Sequence, residues 1–352
     1  MANIISTSKI EFEYHIKQEQ TKLFAKNLFA EAYQDIDRLS EVFDNTSISN
    51  RNLCVPISFF ENDTSFENRN NVFIKNALKY SIKAIEECLE KASVKKEDIT
   101  DIIYISSTGL STPSLDALII NEMKLNPYIN RLPIWGLGCA GGVSGVAKAE
   151  KFANSNPDVK IIVLAVELCS LTFIRNDLSK SNFIATSLFS DGIGCILITG
   201  NNYKNNKPDI KIISSQSRLY FDALDVMGWE FLDTGFKVVF SRDIPTIIKD
   251  NVKQDIDRFL NNNNLKIPDI KNFIFHPGGK KVIKAYKDSL CLEDKDLRYT
   301  SDVLNKYGNM SSVTAFYVLN EFINNGFENG YGLMLSLGPG FSSEMVLMKM
   351  EN

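Results

Sequence analysis

The feature that most restricts this chain is a phrase that occurs twice. Asp98-Ile-Thr-Asp-Ile-Ile-Tyr-Ile-Ser-Ser-Thr-Gly109 and Asp269-Ile-Lys-Asn-Phe-Ile-Phe-His-Pro-Gly-Gly279 each run an apolar strand into a glycine-bearing end, and they begin 171 residues apart. A second pair keeps step. Gly138-Cys139-Ala-Gly-Gly-Val-Ser and Gly308-Asn309-Met-Ser-Ser-Val each open a helical pattern, with Cys139 and Asn309 170 residues apart. Apolar strands follow both, at Val159–Val166 and Tyr331–Leu337, and amphipathic helices precede both phrases, at Asn76–Lys91 and Pro245–Leu260. A near-constant offset over separate phrases predicts a duplicated α/β unit. Its best boundary is the polar stretch Gly200–Pro208, which divides the chain into halves 1–200 and 201–352. That stretch is too short for a flexible tether, so the halves are expected to pack as one body, with Cys139 and Asn309 at equivalent helix N-termini facing a shared centre.

Composition removes several function classes. The 352 residues are 44% hydrophobic and 23% charged, as in ordinary globular proteins, and carry a net charge of −4. A nucleic-acid partner would call for a basic excess that is missing. Met1–Tyr14 shows no basic-then-apolar leader, and no apolar run approaches the roughly 20 residues that cross a bilayer, so the expectation is a cytoplasmic protein without a membrane span. The six cysteines are scattered without a CxxC pair, which suggests neither a metal site nor a disulfide framework. Only two histidines, His15 and His276, are present to act as a base near neutral pH.

Cys139 can be read as a small buried residue that lets strand and helix pack closely. Its place at a helix N-terminus, among free backbone N–H groups, equally favours a thiolate nucleophile. A thiolate needs a cation or base beside it, and His276, at the end of an apolar strand before Pro-Gly-Gly, is the internal candidate. Asn309 reads either as an N-cap or as a hydrogen-bond donor. Together the three supply nucleophile, base and donor.

Trp-Gly-Leu-Gly-Cys139-Ala-Gly-Gly, His276-Pro-Gly-Gly, Tyr-Gly-Asn309-Met-Ser-Ser and Leu-Gly338-Pro339-Gly340-Phe, in this order, resemble the motifs of the type III polyketide synthases, the chalcone synthase-like branch of the thiolase superfamily. Ser106–Ala117 is most similar to the bacterial members that make alkylpyrones and alkylresorcinols. The resemblance implies a thiolase-like α/β fold of five layers, αβαβα, from two pseudo-duplicated halves. It implies that Cys139 accepts an acyl starter from its CoA ester, while His276 and Asn309 stabilise the enolate formed as malonyl-CoA loses carbon dioxide. Repeated condensation and cyclisation follow, with no metal or organic cofactor.

The resemblance also assigns pocket positions. Phe189 matches a gatekeeper of the acyl cavity, and the second gatekeeper falls near Val238. Thr172 and Cys169 match cavity-lining positions, Cys169 standing where plant members have threonine. Thr112 matches a residue that crosses into the partner's cavity, implying a homodimer. Ser311, Gly338, Pro339 and Gly340 fall in motifs that surround the substrate. For the CoA phosphates Arg38 is near one expected cation, Glu41 and Asn45 stand where two others would align, and Arg51 is the substitute. Small Thr112, Cys169 and Val238 suggest room for a medium or long fatty acyl starter.

Two other readings compete. The β-ketoacyl synthase that initiates fatty-acid synthesis uses the same three residue types, but His276-Pro-Gly-Gly and Gly-Asn309-Met-Ser depart from its motifs. A non-catalytic subunit of the same fold would be expected to have lost one of the three central residues, and all three are present.

Overall fold

A computed structural model describes residues 1–203, 209–240 and 244–352. Residues 204–208 of the expected Gly200–Pro208 boundary lie outside the described residues.

The strands are β1 (Ala2–Lys9), β2 (Tyr14–Lys17), β3 (Asn50–Leu53), β4 (Asp101–Ile105), β5 (Asn130–Ile134), β6 (Lys160–Leu168) and β7 (Asp191–Thr199). Then come β8 (Asp209–Leu219), β9 (Met227–Leu232), β10 (Gly235–Phe240), β11 (Ile270–Phe275), β12 (Gly330–Gly338) and β13 (Ser342–Glu351). The helices are α1 (Gln18–Phe29), α2 (Ile36–Asp44), α3 (Phe66–Ala92), α4 (Leu115–Met123), α5 (Gly141–Ser155) and α6 (Lys180–Leu188). They continue with α7 (Ile244–Ile247), α8 (Lys253–Asn262), α9 (Lys280–Leu290), α10 (Arg298–Tyr307) and α11 (Thr314–Asn325).

Nine strands form one sheet in the order β11-β12-β13-β8-β1-β7-β6-β4-β5. Read outward from the β1–β8 seam, β1 matches β8, β7 matches β13, β6 matches β12 and β4 matches β11, so the repeated phrases occupy corresponding strands. The β11–β12 and β4–β6 pairs are parallel, each needing a crossover, and α5 supplies the one that leads into β6, as α11 does for β12.

Strands buried on both faces explain the continuous apolar runs. In β6, Ile161, Val163 and Ala165 enter one core while Ile162, Leu164 and Val166 enter another. The first core holds α5 and α11 between strands of both halves. The second is closed by α3 and α4, and a third, on the β11–β13 side, by α8 and α9. This is the expected five-layer α/β arrangement, with α5 and α11 as the central layer.

Two helices differ from expectation. The α3 helix starts at Phe66, ten residues before Asn76, because the Ser65 hydroxyl caps it by accepting from the Asn68 N–H at 3.2 Å. The polar run Glu67–Asn71 has weak helix propensity and hides that start. Pro245–Leu260 is not one regular helix: α7 passes through a π-helical segment, Ile248–Val252, before α8.

Candidate active site

Cys139 lies on a 3-10 turn, Gly138–Ala140, immediately ahead of α5. Gly138 adopts φ +45°, and a Cβ there would stand 2.7 Å from the Pro339 ring. The contact is reciprocal: a Cβ on Gly338 would meet the Leu137 carbonyl oxygen at 2.4 Å. The two glycine motifs are therefore halves of one close backbone approach, which sets the height of the cysteine turn over β12. Ser336 of β12 fixes it further by donating to the Cys139 carbonyl at 2.6 Å, and Ser107 accepts from the Gly138 N–H at 3.0 Å.

The same strand also places His276, and the backbone just beyond that histidine holds Asn309. The His276 N–H donates to the Leu335 carbonyl at 2.8 Å, placing the imidazole at the end of β11 beside β12. His276 is 3% exposed, and among the described residues neither ring nitrogen has a hydrogen-bond partner. Asn309 Nδ2 donates to the Gly278 carbonyl at 2.8 Å, two residues beyond that histidine, and its Oδ1 accepts from the Ser311 N–H at 2.8 Å. One Nδ2 hydrogen remains to donate. Ser311, at φ +50°, brings its hydroxyl 3.7 Å from Cys139 Sγ. Asn309 does not cap α11 directly; the 3-10 turn Ser311–Val313 intervenes.

Burial governs protonation at this centre. It pushes the Cys139 thiol up to about 12 and the His276 imidazole down to about 3, so both are neutral near pH 7. Burial therefore opposes the thiolate that the helix terminus favours, in keeping with the expectation that the cysteine needs a base. No group of three or more His, Cys, Asp and Glu side chains able to hold a metal occurs among the described residues.

Glu167 was not anticipated. It is fully buried at the end of β6, accepting from Ser107 N–H (3.0 Å), Thr108 Oγ1 (2.8 Å) and Ser312 Oγ (2.6 Å). It thereby ties the strand end at Ser107 to the turn after Asn309, and burial raises its carboxyl to about 7. Its signal in the sequence is a lone carboxylate closing the six-residue apolar run Ile161–Val166, where a charge is rarely left unpaired.

A mostly apolar cavity of about 70 Å³ gathers four expected lining residues, Cys169, Thr172, Phe189 and Val238, with Phe24, Phe60, Phe173, Trp229 and Phe236. Phe189 connects cavity and centre: it forms a β-bridge with Asn309, and the Asn309 N–H donates to the Leu188 carbonyl at 2.9 Å.

Three expected positions take other roles, although Arg51 too lines the cavity. Arg51 is 2% exposed and donates to the carbonyls of Thr186 (2.7 Å), Ser187 (2.8 Å) and Phe189 (2.9 Å) and to Gln18 Oε1. It therefore corrects its assignment to the CoA phosphates: a guanidinium spent on the end of α6 is no free surface cation. Arg38 is exposed on α2, where Lys22–Asp44 and Lys26–Asp37 pair α1 with α2. Thr112 is exposed, precedes a cis peptide bond to Pro113, and does not line its own chain's cavity.

Comparison with known proteins agrees with this geometry. The family descriptions "Chalcone and stilbene synthases, N-terminal domain" and "C-terminal domain" match residues 48–202 and 212–351. A Bacillus subtilis (strain 168) protein under the provisional name chalcone synthase is 43% identical, covering 100% of this chain and 99% of its own. The 1,3,6,8-tetrahydroxynaphthalene synthase of Streptomyces peucetius subsp. caesius is 30% identical over 95% of this chain and 89% of its own. The crystal structure of the Streptomyces coelicolor A3(2) enzyme of that name, described as a bacterial type III polyketide synthase, superposes with a TM-score of 0.94 at 25% identity, covering 99% of both chains. The chain belongs to the chalcone and stilbene synthase family, the type III polyketide synthases. It is an enzyme of the CoA-dependent acyltransferase class. No helix among the described residues is long and apolar enough to cross a membrane.

Proposed function

We propose that this enzyme loads a medium or long fatty acyl group from acyl-CoA, extends it with malonyl-CoA, and cyclises the product to an alkylpyrone or alkylresorcinol. Cys139 Sγ attacks the acyl carbonyl, and the CoA thiolate leaves and takes the proton held by His276. His276 and Asn309 then donate to the thioester carbonyl of malonyl-CoA, each such donor worth about 3–4 kcal/mol, as carbon dioxide departs. The resulting enolate carbon attacks the Cys139 thioester, the S–C bond breaks, and a β-ketoacyl-CoA is released for the next round.

The observation that carries this reading is the junction at Phe189, whose backbone bridges to Asn309 while its residue lines the cavity. A long tail in a space of about 70 Å³ requires lining side chains to turn. The substrates are CoA thioesters, with no metal or organic cofactor required. Exposed Thr112 fits a homodimer in which it reaches the partner's cavity, and the absence of a spanning helix among the described residues is compatible with a cytoplasmic enzyme.

The test is mass spectrometry of products formed from malonyl-CoA and starters ranging from acetyl to long-chain acyl-CoA, beside Cys139→Ala. Cysteine-dependent pyrones or resorcinols, largest with fatty starters, are expected. A single condensation, seen only with malonyl carrier protein, would instead make the chain a fatty-acid initiation enzyme.

A further inference from the structure

The walls of the cavity come from separate chain segments, only some of which are tied to the main sheet: Asp191 of β7 accepts from Ser170 N–H at 2.8 Å and from Cys54 N–H at 2.7 Å. Ile57 and Phe60 stand on a short 3-10 turn before α3, Cys169 and Thr172 on another after β6, and Phe236 and Val238 on β10. The β9–β10 hairpin is a two-stranded sheet of its own.

One side chain joins the second and third of these pieces to the segment that links the first to α3. Arg69, in the first turn of α3 and 5% exposed, donates from Nε to the Leu171 carbonyl at 3.1 Å, inside the Cys169–Thr172 turn. Its Nη1 donates to the Thr64 carbonyl, beyond the Ile57–Phe60 turn, and its Nη2 to the Thr234 carbonyl, at the tip of the hairpin. Among the described residues no carboxylate pairs with it within 4.0 Å. Asp63 adds a favourable charge nearby, yet burying a guanidinium whose hydrogen bonds go to carbonyls is costly, and its planar fork fixes direction as a lysine cannot. The hairpin tip is shaped to receive it: Gly235, at φ +125°, leaves Arg69 Nη2 3.0 Å from where a Cβ would stand. Phe66, one turn earlier on α3, packs on Phe236 with ring centroids 5.2 Å apart.

We propose that Arg69 is a positioning residue that sets the cross-section of the acyl cavity and so selects which acyl-CoA starter the enzyme loads. This rests on the reading that the cavity receives the starter chain. Arg69 makes no hydrogen bond to Cys139, His276 or Asn309, so its action passes through the walls and not through the reacting groups.

The experiment compares wild type with Arg69→Met, Arg69→Lys, Gly235→Ala and Val238→Trp. An equimolar set of short- and long-chain acyl-CoAs competes for loading with malonyl-CoA present, and products are counted by mass spectrometry. Starter-free decarboxylation of malonyl-CoA and thermal unfolding are measured alongside. Arg69→Met is expected to change the long-to-short product ratio about tenfold, the discrimination carried by the fit of one methylene in an apolar pocket. Decarboxylation should fall by less than that ratio moves, and Arg69→Lys should recover part of the wild-type ratio. Gly235→Ala, which crowds the guanidinium without removing it, should move the ratio too, and it carries the test if Arg69→Met does not fold. A wild-type ratio in the folded variants, or equal losses of loading and decarboxylation, overturns the proposal. If Val238→Trp alone moves the ratio, the positioning role falls and the cavity reading stands; if no variant does, both fall.

Discussion

Glu167 shows how a single residue can cost stability while holding a site together. Its carboxyl is raised from 4.5 to about 7 by burial, against three hydrogen bonds that favour the charged form. The folded state therefore retains a proton that the unfolded chain releases above pH 4.5. Linkage makes the sign definite: more protons bound in the folded state means stability is lost as pH rises through this window. A shift of this size corresponds to about 3 kcal/mol by pH 7. Glu167→Gln keeps an acceptor for Ser107 and Thr108 and can donate to Ser312, without the charge. Denaturant melts from pH 4.5 to 7.5 should show the variant gaining on wild type by about that amount as pH rises, and a pH-independent difference would count against a protonated native carboxyl.

At the scale of elements, the catalytic centre is a contact between two helix starts. A Cβ on Gly142, in the first turn of α5, would stand 2.2 Å from the Ser312 carbonyl oxygen in the turn ahead of α11. Gly142→Ala improves local helix propensity by about 1 kcal/mol yet must separate the two turns, and with them Cys139 from Ser311 and Asn309. A misplacement near 1 Å costs about 100-fold in rate, so steady-state condensation should fall by that order while the protein still unfolds cooperatively. Unchanged turnover would show that the helix starts are not held rigidly. This contact also marks what the sequence could disclose. The two phrases and their common offset exposed the paired strands and helix starts, because glycine and apolar periodicity are local signals. Glu167, Arg69 and the spent guanidinium of Arg51 were hidden, because their partners are carbonyls and hydroxyls from distant segments with no distinctive residue type. The start of α3 escaped for a different reason: a capping serine outweighs the poor propensity of the turn that follows it.

For the whole molecule, the decisive feature is that the central layer belongs to both halves at once. Val143, Val146 and Ala147 of α5 share one core with Phe316, Tyr317 and Leu319 of α11 and with Ile210, Val346 and Met348 from strands of the second half. The sheet runs unbroken through the β1–β8 pair. A fragment ending at residue 200 would retain α5 but lose α11, β8 and β13, exposing an apolar face and an unpaired strand edge together. The sequence repeat is therefore a duplication of pattern and not of autonomous folding units. The intact protein should unfold in a single transition seen alike by far-UV and near-UV circular dichroism. Fragment 1–200 should bind a hydrophobic dye and lack a near-UV signal, whereas a cooperative melt and a native near-UV spectrum from the fragment would mean that the first half folds without the shared layer.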